Sequence, residues 1–249
     1  KTFNISTAVT IIAAAAGVKV AKHGNRAVSS KSGSADVLEA LGIKTDLSPE
    51  ESIKQLKEYN MSFLFAQQYH KAMKNVGKER KELETRTIFN LIGPLANPAP
   101  IRGQLMGIFD GDLVDKIGEV LVKLGIERGL VVHGEDGLDE ITTTSSTKVC
   151  EICNGKTKVY KINPEDFGIE KVSIDEISGG TPEENAEIIL SILKGEKGPK
   201  RDIVALNAGA ALFAGKKVDS INDGFILANA LIDSGKAYKK YQQLKELVI

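Results

Sequence analysis

Two polar segments near the start of the chain contain side chains of the types that bind phosphate. In the first, Asn4, Ser6 and Thr7 adjoin a run of alanine and aliphatic residues that predicts a buried helix over residues 7–16. The first turn of such a helix has free backbone N–H groups and the positive end of the helix dipole, which both favour a phosphate. Plain helix capping by the same three residues is the alternative.

The second segment covers residues 22–34, after a short β-type run over residues 18–21. It combines Lys22, His23 and Arg26 with several serines and glycines, and Ser34 caps a helix predicted over residues 35–41. Fixed cations, hydroxyls and small residues that allow a close backbone approach are what a pyrophosphate requires. In open α/β sheets the ligand lies beyond the carboxyl ends of the strands, where this segment falls. A solvated basic turn is the alternative, and His23 could be structural or catalytic.

An acidic turn over residues 134–140 follows a strand predicted at residues 129–132. Its adjacent carboxylates Asp139 and Glu140 are the oxygen ligands that Mg²⁺ takes in proteins, together with water and substrate phosphates. A carboxylate pair that binds a cation would complement a loop that grips phosphate, because the metal neutralises the leaving group. The alternative is an acidic turn exposed to solvent.

A further feature is Arg86, which opens an otherwise apolar helical stretch. This stretch follows the histidine-containing run at residues 69–73. A lone guanidinium in such a place usually pairs with a carboxylate. That carboxylate could belong to the protein or to a substrate, and the residues alone do not decide between them.

Composition limits the function classes. The 249 residues carry 33 Lys and Arg against 33 Asp and Glu, so the basic excess of a general nucleic-acid binder is missing. The longest apolar stretch, residues 8–16, is far shorter than a membrane helix, and no membrane partner is expected. Cys150 and Cys153 lack the further ligands of a zinc site, and we expect reduced strand residues of a cytoplasmic protein.

Strand and helix patterns alternate along most of the chain. Helices are predicted to begin at the capping boxes around Ser48 and Thr181, and a β-hairpin is predicted around Asn154-Gly155. Further strands are predicted at residues 62–65 and 104–109. Helices are also predicted over residues 113–124, 201–214, 221–234 and 236–247, and over residues 70–97, interrupted and ended by Gly93-Pro94 and Asn97-Pro98. The alternation predicts an α/β fold, with a mostly parallel central sheet flanked by helices on both faces.

Six motifs combine in a specific order. They are Thr2-Phe-Asn-Ile-Ser-Thr7, Lys22-His-Gly-Asn-Arg-Ala-Val-Ser-Ser30, Ser32-Gly-Ser-Ala-Asp36, the Arg86 to Pro98 stretch, Gly137-Leu-Asp-Glu140 and Asn207-Ala208. Together they resemble the anthranilate phosphoribosyltransferase family of tryptophan biosynthesis, within the nucleoside phosphorylase and phosphoribosyltransferase fold family. The resemblance covers essentially the whole chain.

The resemblance implies transfer of a phosphoribosyl group from phosphoribosyl pyrophosphate to the amino group of anthranilate, with Mg²⁺ present and pyrophosphate released. It implies that phosphoribosyl pyrophosphate is contacted by Thr2, Asn4, Ile5, Ser6, Thr7, Lys22, His23, Gly24, Asn25, Arg26, Ala27, Val28, Ser29, Ser30 and Ser34. Anthranilate would be contacted by Asn25 and Arg86, with His23 and His70 on its entry route. Magnesium would be held by Ser6, Asp139 and Glu140. The family also implies a homodimer.

The family pattern has two further parts ahead of Thr2, a small helical domain and a glycine-rich Gly-Thr-Gly-Gly-Asp loop, and the 249 residues contain neither. We therefore expect residues 1–249 to form the α/β domain, with the helices of residues 70–98 belonging to the small helical domain. Two other functions stay open at this point. One is a non-catalytic module, a truncated relative that binds a phosphorylated ligand or a protein, and the other is a pyrimidine nucleoside phosphorylase.

Overall fold

The computed structural model describes residues 2–27, 32–70 and 89–246. Its strands are β1 (Val20–Gly24), β2 (Met61–Phe65), β3 (Gly103–Gly107), β4 (Arg128–Gly134), β5 (Thr147–Cys153) and β6 (Lys156–Ile162). Its first helices are α1 (Ile5–Ala15), α2 (Ser34–Ala40), α3 (Pro49–Tyr59), α4 (Ala66–Tyr69) and α5 (Phe89–Leu95). They are followed by α6 (Val114–Lys123), α7 (Pro182–Leu193), α8 (Pro199–Ala214), α9 (Ile221–Asp233) and α10 (Lys236–Lys245).

The strands form two sheets. β1 and β2 pair in parallel, and a four-stranded sheet has the order β3-β4-β5-β6. Within the latter, β3 and β4 are parallel, whereas β5 is antiparallel to both of its neighbours. The predicted α/β class is confirmed, but the pairing is only partly parallel. One antiparallel pair, β5 with β6, arises at the predicted hairpin, where Asn154 and Gly155 have φ angles of 50° and 77°, which suit the tight turn of a two-residue hairpin.

Helices cover both faces of the four-stranded sheet, as predicted. Along β4, Leu130 and Val132 join a buried cluster with Leu206 and Phe213 of α8. Val131 lies in a different cluster, with α6 residues. Successive side chains of a strand point to opposite faces, so one apolar strand serves two layers. Cys150 and Cys153 both lie in β5, as expected, and are not joined by a disulfide.

α1 is buried on nearly all sides. Ile5 and Thr7 through Ala14 are all buried, and the helix packs against α8 and α10. A helix that is apolar all round is typical of a protein interior. Its central position fixes where its N-terminal residues can point, and it therefore determines the location of Ser6.

Several boundaries differ from the sequence prediction; α1, for example, begins at Ile5 and not at residue 7. β1 starts at Val20 and runs to Gly24, so Lys22 and His23 lie in the strand and not in a loop, because the whole of β1 pairs in register with β2. α2 begins at Ser34, with Gly33 in the cap position. α5 continues through Pro94 to Leu95, because a proline in the last turn removes only one backbone hydrogen bond. The rest of the helical prediction for residues 70–97 falls largely on residues 71–88, outside the described part.

A close contact between α6 and β5 gives the first testable prediction. A Cβ atom on Gly118 would lie 2.3 Å from Sγ of the fully buried Cys150. Gly118→Ala should therefore lower the free energy of unfolding by about 1 to 3 kcal/mol, because overpacking outweighs the gain in helix propensity. Urea denaturation measures this. Adding Cys150→Ala should restore most of the loss, and Glu119→Ala, an exposed change on the same helix, is the control. A fully stable Gly118→Ala protein would contradict this packing.

Candidate functional site

A single cleft of about 1000 Å³ brings the two polar segments and the acidic turn together. The predicted site residues that line it are Ser6, Lys22, His23, Ser34, Asp139 and Glu140. Side chains of the types that bind phosphate and cations therefore share one cavity. The chemistry that the sequence suggested for each segment separately is possible at one place.

The cleft lies between the two sheets. β1 is hydrogen-bonded to β2 and β3 to β4, and in the described part of the chain the other edge of each strand is unpaired. Nearly all of β1 and all of β3 line the cleft. The carbonyl of Ala21 accepts a hydrogen bond from Asn97 Nδ2 at 3.0 Å. Asn97 also lines the cleft, whereas the sequence predicted for it only a place at the end of a helix.

Ser6 joins the two charged parts of the site. Lys22 Nζ donates a hydrogen bond to Ser6 Oγ at 3.0 Å, and the backbone N–H of Ser6 donates to the carboxylate of Glu140. That N–H is free for Glu140 because the first four N–H groups of a helix have no partner within it. One residue in the first turn of α1 thus contacts a cation from β1 and an anion from the acidic turn.

Burial makes both charges costly. It raises the pKa of Glu140 to about 8, and the neighbouring carboxylate of Asp139 adds to this increase, while Lys22 opposes it. Burial also lowers the pKa of Lys22 to about 8, against the attraction of Glu140. Two carboxylates that disfavour each other's charge gain from a cation placed between them.

The donor set at this end of the cleft fits Mg²⁺. The described residues contain no cluster of three or more His, Cys, Asp or Glu side chains that could hold a metal ion. A cation here would depend on Asp139, Glu140, the hydroxyl of Ser6 and oxygens of a bound ligand or water. Mg²⁺ is commonly bound in this way, with one or two carboxylates and several remaining positions for water and phosphate.

The base of the second polar segment is held by Asp36. Its carboxylate accepts hydrogen bonds from the backbone N–H groups of Ala27 and Gly33, both at 2.9 Å. Although burial acts to raise it, these bonds and the Arg26 guanidinium bring the pKa of Asp36 below its usual value. Gly33 is needed for this closure, because a Cβ atom there would lie 2.3 Å from the nitrogen of Ala27. Val28, Ser29 and Ser30 lie outside the described residues.

Arg26 points toward α2. Its guanidinium makes two hydrogen bonds of 2.7 Å to Glu39 and lies 5.7 Å from the centre of the Phe65 ring. The side chain therefore holds the segment to α2, and the contact of Arg26 with a phosphate stays a prediction.

The residues before and after Ser6 are engaged in packing. Asn4 Oδ1 accepts hydrogen bonds from Ser32 Oγ at 3.1 Å and Asn185 Nδ2 at 2.9 Å, and the side chain does not cap α1. Ile5 and Thr7 are almost fully buried. Thr2 forms an isolated β-bridge with Ser178. Ser6 is thus the residue of its motif that lines the cleft.

A pair of histidines, one of them in β1, adjoins this part of the cleft. Nε2 of His23 and Nε2 of His70 are 3.1 Å apart, and the two rings are edge to face. Burial and the charge of His70 lower the pKa of His23, against a backbone hydrogen bond with Gly93 of α5. Because one nitrogen must donate and the other accept, a neutral His23 suits this contact.

Gly24 and Asn25 complete the end of β1. A Cβ atom on Gly24 would lie 2.9 Å from the ring of Phe63, which explains the absence of a side chain. Asn25 Oδ1 accepts hydrogen bonds from Gln67 Nε2 at 3.2 Å and from the N–H of Arg26 at 2.9 Å. Arg86, the other predicted contact for a carboxylate substrate, is outside the described residues.

The chain matches the family model described as "Glycosyl transferase family, a/b domain" over residues 1–238. It is 63% identical over 249 residues to the anthranilate phosphoribosyltransferase of Clostridium beijerinckii, across 100% of this chain and 74% of that relative. The anthranilate phosphoribosyltransferase structure from Thermus thermophilus is similar at a TM-score of 0.92 and 44% identity, over 98% of this chain and 73% of that one. The anthranilate phosphoribosyltransferase of Saccharomyces cerevisiae was solved in complex with phosphoribosyl pyrophosphate (PRPP) and Mg. Its structure has a TM-score of 0.89 at 28% identity, over 98% of this chain and 69% of that one.

None of the helices in the described ranges combines the length and the apolarity that crossing a bilayer requires.

The role of Asp36 at the base of the polar segment can be tested by amide exchange. Asp36→Asn should speed hydrogen–deuterium exchange at Ala27 or Gly33 by roughly tenfold or more, because a hydrogen bond to a charged acceptor is replaced by a weaker one. Asp110→Asn is the matched control, since Asp110 also accepts a backbone N–H, from Asp112, far from this segment. Equal exchange rates at Ala27 and Gly33 in all three proteins would show that Asp36 does not hold the segment.

Proposed function

The chain belongs to the glycosyl transferase a/b-domain family and, within it, to the anthranilate phosphoribosyltransferases, and on this premise we propose that its cleft transfers a phosphoribosyl group from phosphoribosyl pyrophosphate (PRPP) to the amino group of anthranilate. The observation that carries the proposal is the convergence of Ser6, Lys22, Asp139 and Glu140 on one cleft. A diphosphate needs cationic and hydrogen-bonding groups, and its magnesium ion needs carboxylates, within reach of each other. The Saccharomyces cerevisiae relative was solved in complex with PRPP and Mg.

At the diphosphate end, Ser6, Asp139 and Glu140 would hold Mg²⁺, which when bound would neutralise charge on the departing pyrophosphate. Lys22 is a fixed cation beside them, and Ser34 lines the same cavity. The remaining PRPP contacts of this proposal are Thr2, Asn4, Ile5, Thr7, His23, Gly24, Asn25, Arg26, Ala27, Val28, Ser29 and Ser30. Preorganised charges of this kind stabilise a leaving group without moving during the reaction.

At the acceptor end, anthranilate needs orientation more than activation. Its aniline-type nitrogen is already neutral at pH 7, and attack on the anomeric carbon proceeds as positive charge builds on the ribose ring, by analogy with glycosyl transfer. His23 and His70 would line the entry route, and Asn25 with Arg86 would contact the acceptor. Correct placement of the two reactants then supplies most of the rate acceleration.

Two further points of the proposal concern assembly. The helices of residues 70–98 would belong to a small helical domain, and the protein would act as a homodimer. The identity to anthranilate phosphoribosyltransferases supports the transferase over a nucleoside phosphorylase or a non-catalytic module.

The carboxylate pair provides the direct test of the reaction. Asp139→Ala combined with Glu140→Ala should reduce turnover at limiting Mg²⁺ by roughly 100-fold or more, because charge neutralisation of the leaving group is lost. Loss of anthranilate fluorescence in the presence of PRPP and Mg²⁺ measures turnover, and anthranilate binding should change far less. Glu135→Ala is the control, because Glu135 is on the same turn and pairs with Lys161, away from the cleft. Unchanged kinetics of the double variant would refute the proposal.

Lys22 should act on PRPP and not on the acceptor. Lys22→Met is expected to raise the KM for PRPP by about 10- to 100-fold, because a charge-assisted contact with the diphosphate is lost. The KM for anthranilate should stay within about threefold under saturating PRPP. Steady-state kinetics with each substrate varied in turn separate the two effects. A larger change in the KM for anthranilate than in that for PRPP would argue against this placement of Lys22.

A further inference from the structure

Asn207 is a fully buried residue of α8, and its side-chain amide forms hydrogen bonds with the residue that directly follows the acidic turn. Its Oδ1 accepts a hydrogen bond from the backbone N–H of Ile141 at 2.9 Å, and its Nδ2 donates to the carbonyl of the same residue at 2.7 Å. Nδ2 also donates to the carbonyl of Ile203 at 2.8 Å. Both amide hydrogens and the oxygen are therefore used, and a flipped amide would set donor against donor.

Ile141 directly follows Glu140, so Asn207 fixes the backbone at the point where the carboxylate pair ends. The pair itself lies in a segment without helix or strand between β4 and β5. Two other elements hold the same segment. The N–H of Ser6 donates to Glu140, and at Gly107 of β3 a Cβ atom would lie 1.6 Å from the carbonyl oxygen of Asp139.

Contacts with α1, β3 and α8 thus hold the acidic turn in place. Asn207 does not line the cleft, whereas Asp139 and Glu140 do. Mg²⁺ demands near-ideal octahedral geometry at short distances, so a small shift of two carboxylates relative to Ser6 weakens binding strongly. Groups that orient a ligand residue without touching the metal commonly change affinity 10- to 100-fold.

We propose that Asn207 is a positioning residue for the cation site, holding Asp139 and Glu140 at the orientation toward Ser6 that the cation requires. The inference rests on the proposed function, because it assumes that this carboxylate pair binds the cation. It explains the Asn207-Ala208 motif, for which neither substrate contact nor fold class gives a reason.

The test compares two neighbouring buried residues of α8. Asn207→Ala removes the contacts with Ile141, and Leu206→Ala removes only apolar packing, since Leu206 is also fully buried. The measured quantity is the dissociation constant of Mn²⁺, used as a spectroscopic substitute for Mg²⁺, with pyrophosphate present and free Mn²⁺ counted by electron paramagnetic resonance. Thermal denaturation of each variant is recorded in parallel.

We expect Asn207→Ala to raise the Mn²⁺ dissociation constant by roughly 10- to 100-fold, and Leu206→Ala to change it less than about twofold despite an equal or larger loss of thermal stability. Equal effects of the two variants, or no effect of Asn207→Ala, would overturn the proposal, because Asn207 would then serve the fold alone.

Asn207→Asp provides a conservative rescue and serves if the alanine variant does not fold. A buried carboxyl group is protonated near pH 6, and in that form it can accept from and donate to Ile141 as the amide does. Its Mn²⁺ affinity at pH 6 should be within about threefold of the wild type at the same pH. An affinity as weak as that expected of the alanine variant would contradict the proposal.

The double variant Asp139→Ala with Glu140→Ala separates this proposal from the function on which it rests. If it binds Mn²⁺ as tightly as the wild type, the carboxylate pair is not the cation site, and both the function and the role of Asn207 fall. If it loses Mn²⁺ while Asn207→Ala retains it, the cation site stands and only the role of Asn207 is refuted.

Discussion

The contact of Lys22 and Glu140 with the first turn of α1 is the interaction on which the site depends. A half-buried lysine or a half-buried glutamate alone would be unfavourable, and the two charges offset each other only partly. Ser6 contributes a hydroxyl to one and a backbone N–H to the other. Because α1 is buried on nearly all sides, its packing in the apolar core sets the position of Ser6 in the polar site.

Features with a local cause could be predicted from the sequence. The capping boxes at Ser48 and Thr181 and the turn at Asn154-Gly155 are all confirmed, because each depends on the chemistry of four or fewer neighbouring residues. The extent of β1 could not be predicted in the same way. Its length is set by register with β2, about forty residues later in the chain, and this pairing moved Lys22 and His23 from a loop into a strand.

The candidate site shows the same division. Residue types indicated which segments could bind phosphate or a cation, and the structure brings Ser6, Lys22, Ser34, Asp139 and Glu140 to one cleft. The hydrogen-bond partners of these side chains could not be predicted from residue types. Composition suggested Arg26 as a phosphate contact but could not show that its guanidinium also pairs with Glu39 of α2. The contacts of Asn207 with Ile141 join distant parts of the chain, and no local pattern marks them.

The end of β1 also relates the two halves of the proposed reaction. Lys22 and His23 are adjacent in a strand, and adjacent side chains of a strand point to opposite sides. Lys22 reaches Ser6 at the proposed cation end, while His23 reaches His70 at the proposed acceptor end. A displacement at a ribose carbon requires the nucleophile and the leaving group on opposite sides of that carbon. Both residues line the cleft, and alternation along β1 directs Lys22 toward Ser6 and His23 toward His70, so a shift of the strand by a single residue would exchange the two contacts.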